Sequence, residues 1–374
     1  MRILVTGGAG FIGSHYVRTL LGGGFPGFEQ AQVTVLDKLT YAGNLANLDL
    51  VADNPRYSFV RGDICDASLL ARIVPGHDVV LNFAAETHVD RSIAGAQDFV
   101  AANVVGVQVL LQACLGTTVR RVVQVSTDEV YGSIAAGSWA EGAQLKPNSP
   151  YAAAKAAGDL MACAYAQTHG LNVSITRCCN NYGPYQFPEK VIPLFLTNLL
   201  DGLPLPLYGD GSNVRGWVHV DDHCRGIQLV LEQGQRGRVY HIGGDAELTN
   251  IELTRALLSC YGASWEMVRF VDDRKGHDRR YALDDSLLRG MGYAPRIPFA
   301  DGLRSTVRWY QENREWWEPL KRPIPALPGA AEPASGVPAW SSRTRHRASH
   351  GRFRTGRWLT EHVDQLRVRE SAGR

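Results

Sequence analysis

The chain has 374 residues, 45% hydrophobic and 20% charged, with a formal net charge of +2; that is enough for two domains or one enlarged one around a sizeable core. Its longest apolar runs, such as residues 104–111, fall short of the roughly 18 residues a bilayer-spanning helix needs, so no membrane segment is expected. Seven cysteines scattered from Cys65 to Cys260 show no paired spacing, which excludes a disulfide framework or zinc cage as the organising feature, and no metal is expected.

The chain opens on Met1-Arg2-Ile3-Leu4-Val5-Thr6-Gly7, a β-branched run entering a glycine turn. That is not the charged stub, apolar stretch and cleavage site of a secretory leader, so a cytoplasmic location is expected. Residues 3–6, 33–36, 57–60, 79–83, 122–126 and 173–176 read as strands, and 11–21, 99–114 and 150–169 have helical length and spacing. Such alternation predicts an α/β fold, a doubly wound parallel sheet covered by helices on both faces. The second half is less regular, with loops rich in Gly and Pro at 181–188 and 204–212. Two later runs, 217–220 and 239–242, are expected to return to the sheet, so that a smaller C-terminal domain interleaves with the first. The last amphipathic stretch is 303–317, after which six of the eighteen prolines crowd into 319–338, ahead of an Arg-rich run at 343–357. From Arg322 onward ten Arg against four acidic residues give +6, leaving −4 on residues 1–321. Residues 321–374 are therefore expected to be a flexible basic tail. With 33 Arg and 6 Lys in the whole chain, Arg bias accounts for much of that charge, and no nucleic-acid partner is expected.

The loop Gly7-Gly8-Ala9-Gly10-Phe11-Ile12-Gly13 follows the first strand and opens the first helix. Glycines there permit a tight turn and close backbone approach, so that a pyrophosphate can sit on the amides at the helix N-terminus. Asp37 ends the second strand, where a carboxylate accepts hydrogen bonds from an adenosine ribose and repels a 2′-phosphate. This favours NAD, although Lys38 beside it works the other way. Asp63 and Ile64, after the third strand, would flank the adenine. These features predict a Rossmann-like nucleotide-binding half.

After the fifth strand come Ser126-Thr127-Asp128-Glu129, and the helix at 150–169 carries Tyr151 and Lys155. A spacing of four places the last two on one helical face, where an ammonium stabilises a phenolate and lowers the tyrosine pKa. Tyr151 can then take a proton from a sugar hydroxyl as hydride leaves the same carbon. Asp128 and Glu129 are the discriminating pair. Hydride transfer alone needs no carboxylates there, whereas eliminating water beside a new ketone needs a base for one proton and an acid for the leaving hydroxyl. Consecutive strand residues point to opposite faces, so the pair must lie just past the strand.

These residues, with Ala84-Ala85-Glu86-Thr87-His88-Val89-Asp90-Arg91-Ser92, Asn180-Asn181-Tyr182-Gly183-Pro184 and Gly276-His277-Asp278-Arg279-Arg280-Tyr281, closely resemble the extended short-chain dehydrogenase/reductases, and within them the dTDP-glucose 4,6-dehydratases, from Met1 to about Pro319. The resemblance implies that Tyr151 is the base for C4 oxidation, Lys155 holds the nicotinamide ribose, and Thr127 bonds the C4 oxygen. It implies that Glu129 removes the C5 proton and Asp128 protonates the departing C6 hydroxyl, giving the 4-keto-6-deoxy sugar. NAD contacts are implied for Gly7, Gly10, Phe11, Ile12, Gly13, Asp37, Lys38, Thr40, Asp63, Ile64, Ala84, Ala85, Thr87, Tyr151, Lys155 and Asn181. For dTDP-glucose they are implied for Thr87, Thr127, Asn180, Lys190, Val191, Arg215, Asn250 and His277, with Tyr208 near the base. His88 is read equally as a sugar-pocket residue or as a helix cap or core histidine. The implied domains are 1–178 for NAD, with returning segments near 217–245, and 179–216 plus 246–320 for the nucleotide sugar. A homodimer paired through the helices at 99–114 and 150–169 is also implied.

Two departures stand beside the nucleotide contacts: Gly216 where the family often has Asp, and Lys275 where Pro is common. Two other functions compete. A nucleotide-sugar 4-epimerase or decarboxylase would share the glycine loop and Tyr151-Lys155 without needing both carboxyls. A non-catalytic NAD-binding protein would keep only the loop.

Overall fold

The computed structural model describes residues 1–321; the expected tail, apart from Lys321, lies outside the described residues. Strand β1 (Arg2–Thr6) shows why the early strands are continuously apolar: Ile3 and Val5 enter the core on one face of the sheet, and Leu4 enters the core on the other. With β2 (Gln32–Asp37), β3 (Tyr57–Arg61), β4 (Val79–Asn82), β5 (Arg121–Thr127), β6 (Val173–Cys178) and a later strand at Val239–Ile242, β1 forms a seven-stranded sheet, parallel at every pairing. The order runs outward from β1 both ways, β4-β5-β6 on one side and β2-β3 on the other. The crevice above the β1/β4 boundary is where a ligand sits in such a sheet.

One face is covered by helix α1 (Phe11–Leu21), through Tyr16, Val17 and Leu20, together with a helix at Val220–Gln233, through Cys224, Ile227 and Val230. The other is covered by α2 (Ala67–Ile73) and the helical segment 97–114. After the short α3 (Val89–Ala94), that segment consists of α4 (Gln97–Val100), a π-helical stretch Ala101–Gly106 and α5 (Val107–Cys114), where one regular helix was expected from residue 99. The irregular stretch is closely packed. A Cβ on Gly106 would lie 2.6 Å from the Ile64 side chain, and one on Gly158 of helix α6 (Pro150–Thr168) would lie 2.5 Å from the Asn103 carbonyl oxygen. From this stretch the Asn103 side chain donates to the Glu86 carbonyl at 2.9 Å and accepts the Glu86 amide at 3.0 Å, pinning the loop after β4.

The remaining elements build the smaller lobe. The stretches read as Gly/Pro loops contain strands β7 (Asn180–Tyr182) and β8 (Leu205–Tyr208), with helix α7 (Val191–Leu200) between them. Pro206 is tolerated in β8 because that strand has a single partner, a later strand at Val268–Val271. Strand β9 (Val214–His219) corrects the expectation for 217–220. It pairs with β7 on one side and antiparallel with a strand at Ala246–Thr249 on the other, and chain continues from it into α8 (Val220–Gln233). The place beside β6 in the main sheet belongs instead to β10 (Val239–Ile242), as expected for that run. Strand β11 (Ala246–Thr249), helix α9 (Asn250–Tyr261), strand β12 (Val268–Val271) and helices α10 (Ser286–Gly290), α11 (Phe299–Glu312) and α12 (Arg314–Trp317) follow. Phe195 of α7, Leu257 of α9, Tyr310 of α11, Trp217 and Trp317 fill this lobe's core. Met1–Leu320 forms one compact unit, and among the described residues no helix is long and apolar enough to cross a membrane.

Candidate active site

The glycine loop has the predicted shape. Gly7 takes φ +66°, and a Cβ there would lie 2.5 Å from the Ala84 amide nitrogen; a Cβ on Gly13 would lie 2.4 Å from the Gly7 carbonyl oxygen. Only glycine fits either position. Helix α1 begins at Phe11, and Gly10 caps it without a side-chain hydrogen bond, leaving first-turn amides to an anionic ligand. Asp37 is buried at the end of β2, where its carboxylate accepts the Ala9 amide at 2.9 Å and the Leu39 amide at 2.8 Å. It therefore shapes the loop as well as presenting lone pairs. Lys38 forms an ion pair with Asp63 at 2.7 Å, which occupies the charge that weighed against a preference for NAD. Ile64 is buried beneath this rim, and Thr40 is exposed. Ala84, Ala85 and Thr87 lie on the loop after β4, and the Thr87 carbonyl accepts Lys190 Nζ at 2.8 Å. The turn, the uncapped helix and the strand-end carboxylate together suit a dinucleotide.

The acid pair sits where strand geometry requires, in a 3-10 turn (Asp128–Tyr131) directly after β5. Thr127 caps that turn, accepting the Glu129 amide and donating to Asp128 Oδ1, each at 3.3 Å. Ser149 caps α6 through the Ala152 amide at 3.1 Å, with Pro150 in the first turn, which sets Tyr151 at the start of the helix and Lys155 one turn on. Tyr151 packs edge-on to Phe99, with ring centroids 6.3 Å apart.

Burial dominates the electrostatics. It pushes Asp128, whose Oδ2 has no hydrogen-bond partner, up to about 8; the neighbouring Glu129 adds to the rise and Arg215 opposes it. Burial also raises Glu129, but three cations, Lys190, Arg215 and Arg274, act against the rise there. Tyr151 is held well above the ordinary phenol value by burial and then by Glu129, with Thr127 pulling the other way. That corrects the expectation for Lys155. Its Nζ donates to the Val125 carbonyl at 2.6 Å, and burial lowers its own pKa while Asp159 and Cys178 raise it. In the protein alone, desolvation of the phenol outweighs any help from that ammonium.

The opposite wall comes from the smaller lobe. Arg215 is buried on β9, donates to the Asp278 carbonyl at 2.9 Å and lies 4.2 Å from the centroid of the Tyr281 ring. Lys190 precedes α7, of which Val191 is the first residue. Tyr208 ends β8 edge-on to His277, whose Nδ1 faces Asp273 Oδ1 at 2.6 Å. Asn180 and Asn181 open β7; the Asn181 amide donates to Cys178 Sγ at 3.2 Å and to the Cys179 carbonyl at 3.1 Å, while its Oδ1 is buried without a partner. Asn250 begins α9, tied by its backbone amide to the Asn213 carbonyl at 3.0 Å. Thr127, Asp128, Glu129 and Tyr151 are thus brought together with Lys190 and Arg215, whereas Lys38 and Thr40 stay at the exposed rim. His88 caps α3: its Nδ1 accepts the Arg91 amide at 3.4 Å, and burial, then Lys190 and Arg274 nearby, lower its pKa to about 3.

Sequence reasoning missed Arg274. It acts on Glu129, pairs with Asp90 at 3.3 Å and lies 5.1 Å from the centroid of the Tyr208 ring. Nothing local marks it, because an isolated Arg in a loop reads as surface charge. The Lys275 departure is exposed, next to Arg274. Gly216 lies in the β9–β11 ladder opposite Glu247, where a Cβ would come 3.2 Å from that of Cys179.

Residues 4–306 match the model of the GDP-mannose 4,6 dehydratase family. The chain is 60% identical over 334 residues to a dTDP-glucose 4,6-dehydratase of Streptomyces niveus, covering 88% of this chain and 99% of that one. Among solved structures it is similar to DesIV, a dTDP-glucose 4,6-dehydratase from Streptomyces venezuelae crystallised with NAD and TYD bound, at 65% identity and a TM-score of 0.85, over 86% of this chain and 100% of that one. It is more distantly similar to a Thermus thermophilus UDP-glucose 4-epimerase in complex with NAD, at 32% identity and a TM-score of 0.76, over 84% of this chain and 100% of that one.

Proposed function

The chain belongs to the GDP-mannose 4,6 dehydratase family, and on that premise we propose that it dehydrates dTDP-glucose to dTDP-4-keto-6-deoxyglucose with NAD as a recycled cofactor. The observation that carries this reading is the acid pair: two adjacent carboxyls in unequal surroundings, Asp128 buried and pushed up to about 8, Glu129 partly buried and facing three cations. Elimination needs one group of each kind, an acid and a base; a 4-epimerase needs neither.

Bound NAD supplies the hydride acceptor for C4 and the donor for C6, and the positive charge of its oxidised ring favours a phenolate nearby. Tyr151, with Thr127 beside it, accepts the proton of the C4 hydroxyl. The new ketone acidifies C5, and Glu129 removes that proton as a carboxylate held by Lys190, Arg215 and Arg274. Asp128, still protonated at neutral pH, delivers its proton to the leaving C6 oxygen. Arg215 and Lys190 have the charge to grip the diphosphate; the planar Arg fork suits that role. Gly7, Gly10 and Gly13 make room for the pyrophosphate of the cofactor, and Asp37 takes its ribose.

Asp128 must be protonated to act, so its contribution is complete below its pKa and is lost as pH rises through it. Turnover is expected to fall on the alkaline side with a midpoint near 8 and on the acidic side as Glu129 takes up its proton. The kcat/KM profile over that range, which reports the free enzyme, checks this, and an acid limb alone would be at odds with it.

The enzyme works as a cytoplasmic homodimer. Apolar side chains exposed along one set of helices support the pairing: Ile93 of α3, Val100 of α4, Val105 of the π-helical stretch and Leu160 of α6. Incubation with dTDP-glucose, UDP-glucose and GDP-mannose in turn, with products identified by NMR, tests the activity. A 4-keto-6-deoxy product from the first supports it, and a 4-epimer overturns it.

A further inference from the structure

Below the acid pair lies a second charged cluster that the chemistry above does not use. Arg177 on β6 and Asp159 on α6 form a buried ion pair, Nε to Oδ2 at 2.9 Å, with side-chain exposures of 4% and 0%. Arg177 is held on its other side by Tyr131, donating to the phenol oxygen while its guanidinium carbon lies 4.8 Å from the ring centroid. Tyr131 in turn meets His241 Nε2 at 2.6 Å, and His241 Nδ1 donates to the Asp284 carbonyl at 2.8 Å. The other carboxylate oxygen of Asp159, Oδ1, is buried with no hydrogen bond of ordinary geometry among the described residues; the Ser126 hydroxyl, one residue before Thr127, faces Asp159 and helps to hold its pKa down. Asp159 lies one helical turn beyond Lys155 on the same face of α6. Among the described residues the Lys155 ammonium has the Val125 carbonyl as its hydrogen-bond partner, at 2.6 Å. A buried cation that sees only a neutral acceptor is costly unless an opposite charge lies near it.

We infer that Asp159 is a positioning residue: fixed by Arg177, its carboxylate keeps Lys155 charged and seated against Val125 beneath Tyr151. The groups facing these two are few. Lys155 faces Asp159 on its own helix and Cys178 of β6; Asp159 faces Arg177 of β6, Ser126 of β5 and, on α6, Lys155 and Cys163. Among the described residues Asp159 is the one carboxylate acting on Lys155, and its influence opposes the effect of burial on that lysine; burial raises Asp159 in turn, with Arg177 and then Lys155 opposing that rise.

The inference rests on the reading of Tyr151 and Lys155 as the C4 machinery, so the test keeps the two apart. The full chain has six lysines, few enough to follow by NMR in protein labelled with carbon-13 at the lysine ε position, with Lys155 assigned through Lys155→Arg. In Asp159→Asn the Lys155 signal should titrate about one unit lower than in the parent protein. At a pH above both Lys155 midpoints, turnover of dTDP-glucose should fall up to about tenfold at unchanged KM, because there one unit of pKa corresponds to tenfold in the protonated fraction, and Asp159→Glu should restore most of both. If Asp159→Asn fails to fold because Arg177 is left without a counter-charge, Asp159→Asn/Arg177→Met removes the pair together and carries the same expectation. A Lys155 titration that stays in place in whichever variant folds overturns the inference. Full turnover by Lys155→Met would instead sink the C4 reading and leave the titration result standing.

Discussion

Glu129→Gln is expected to stop the reaction halfway: adding dTDP-glucose should reduce the bound NAD as in the parent protein, while release of 4-keto-6-deoxy product falls by roughly 10²–10⁴-fold, the usual worth of a positioned base. The substitution keeps the size of the side chain and removes its charge. Oxidation at C4 comes first and uses Tyr151, so it proceeds; the C5 proton then has no acceptor. Two further effects follow from the same surroundings. Asp128 loses the like charge that helped to raise it, so its pKa should fall. Lys190, Arg215 and Arg274 lose a carboxylate that partly neutralised them, so KM for the anionic substrate should not rise. Absorbance of reduced NAD, followed alongside product release, checks all of this. A variant that neither reduces NAD nor binds sugar would show that Glu129 belongs to the binding wall.

Tyr151→Phe should fail one step earlier. The ring keeps its edge-on packing against Phe99, so the fold should be unaffected, but the oxygen that receives the C4 proton is gone. Turnover should drop by roughly 10²–10⁴-fold, and substrate should leave NAD oxidised. The two variants thus differ in the colour of the stalled enzyme, and that difference reports the order of the steps. Accumulation of reduced NAD in Tyr151→Phe would pass the role of C4 base to another group, with Thr127 next in line.

Much of this architecture was legible because it is written locally. The strands carrying Ile3, Val33, Val79 and Val122, and the helix from Phe11 to Leu21, have sharp periodicity and glycine boundaries, and the structure places them within about two residues of expectation. Gly7 and Gly13 were readable for a similar reason: a turn that admits no side chain leaves a mark in the sequence itself. The smaller lobe was less legible, because its strands are short and its signals mixed. Pro206 and the glycines around β8 read as a loop, and the Trp217 run carries the pattern of a core strand without saying which sheet takes it.

In the active site the residue types were visible and their environments were not. Thr127, Asp128, Glu129, Tyr151 and Lys155 stood out by spacing. That Asp128 would rise to about 8 depends on its burial and on Glu129 beside it, and the restraint on Glu129 depends on Lys190, Arg215 and Arg274, which arrive from three separate segments of the smaller lobe. The direction of the Tyr151 shift differs from the expectation for the same cause: the i, i+4 spacing predicts help from Lys155, while burial and then the Glu129 charge raise the phenol. Arg274 was missed because its significance lies wholly in what it faces.

The central claim is that the electron pair taken from C4 returns to C6 of the same sugar after two carboxyls have expelled water between those carbons. Incubating the protein with dTDP-glucose carrying deuterium at C4 tests it most directly. The account predicts a 4-keto-6-deoxy product with that deuterium in its C6 methyl group; deuterium retained at C4, or absent from C6, would contradict it.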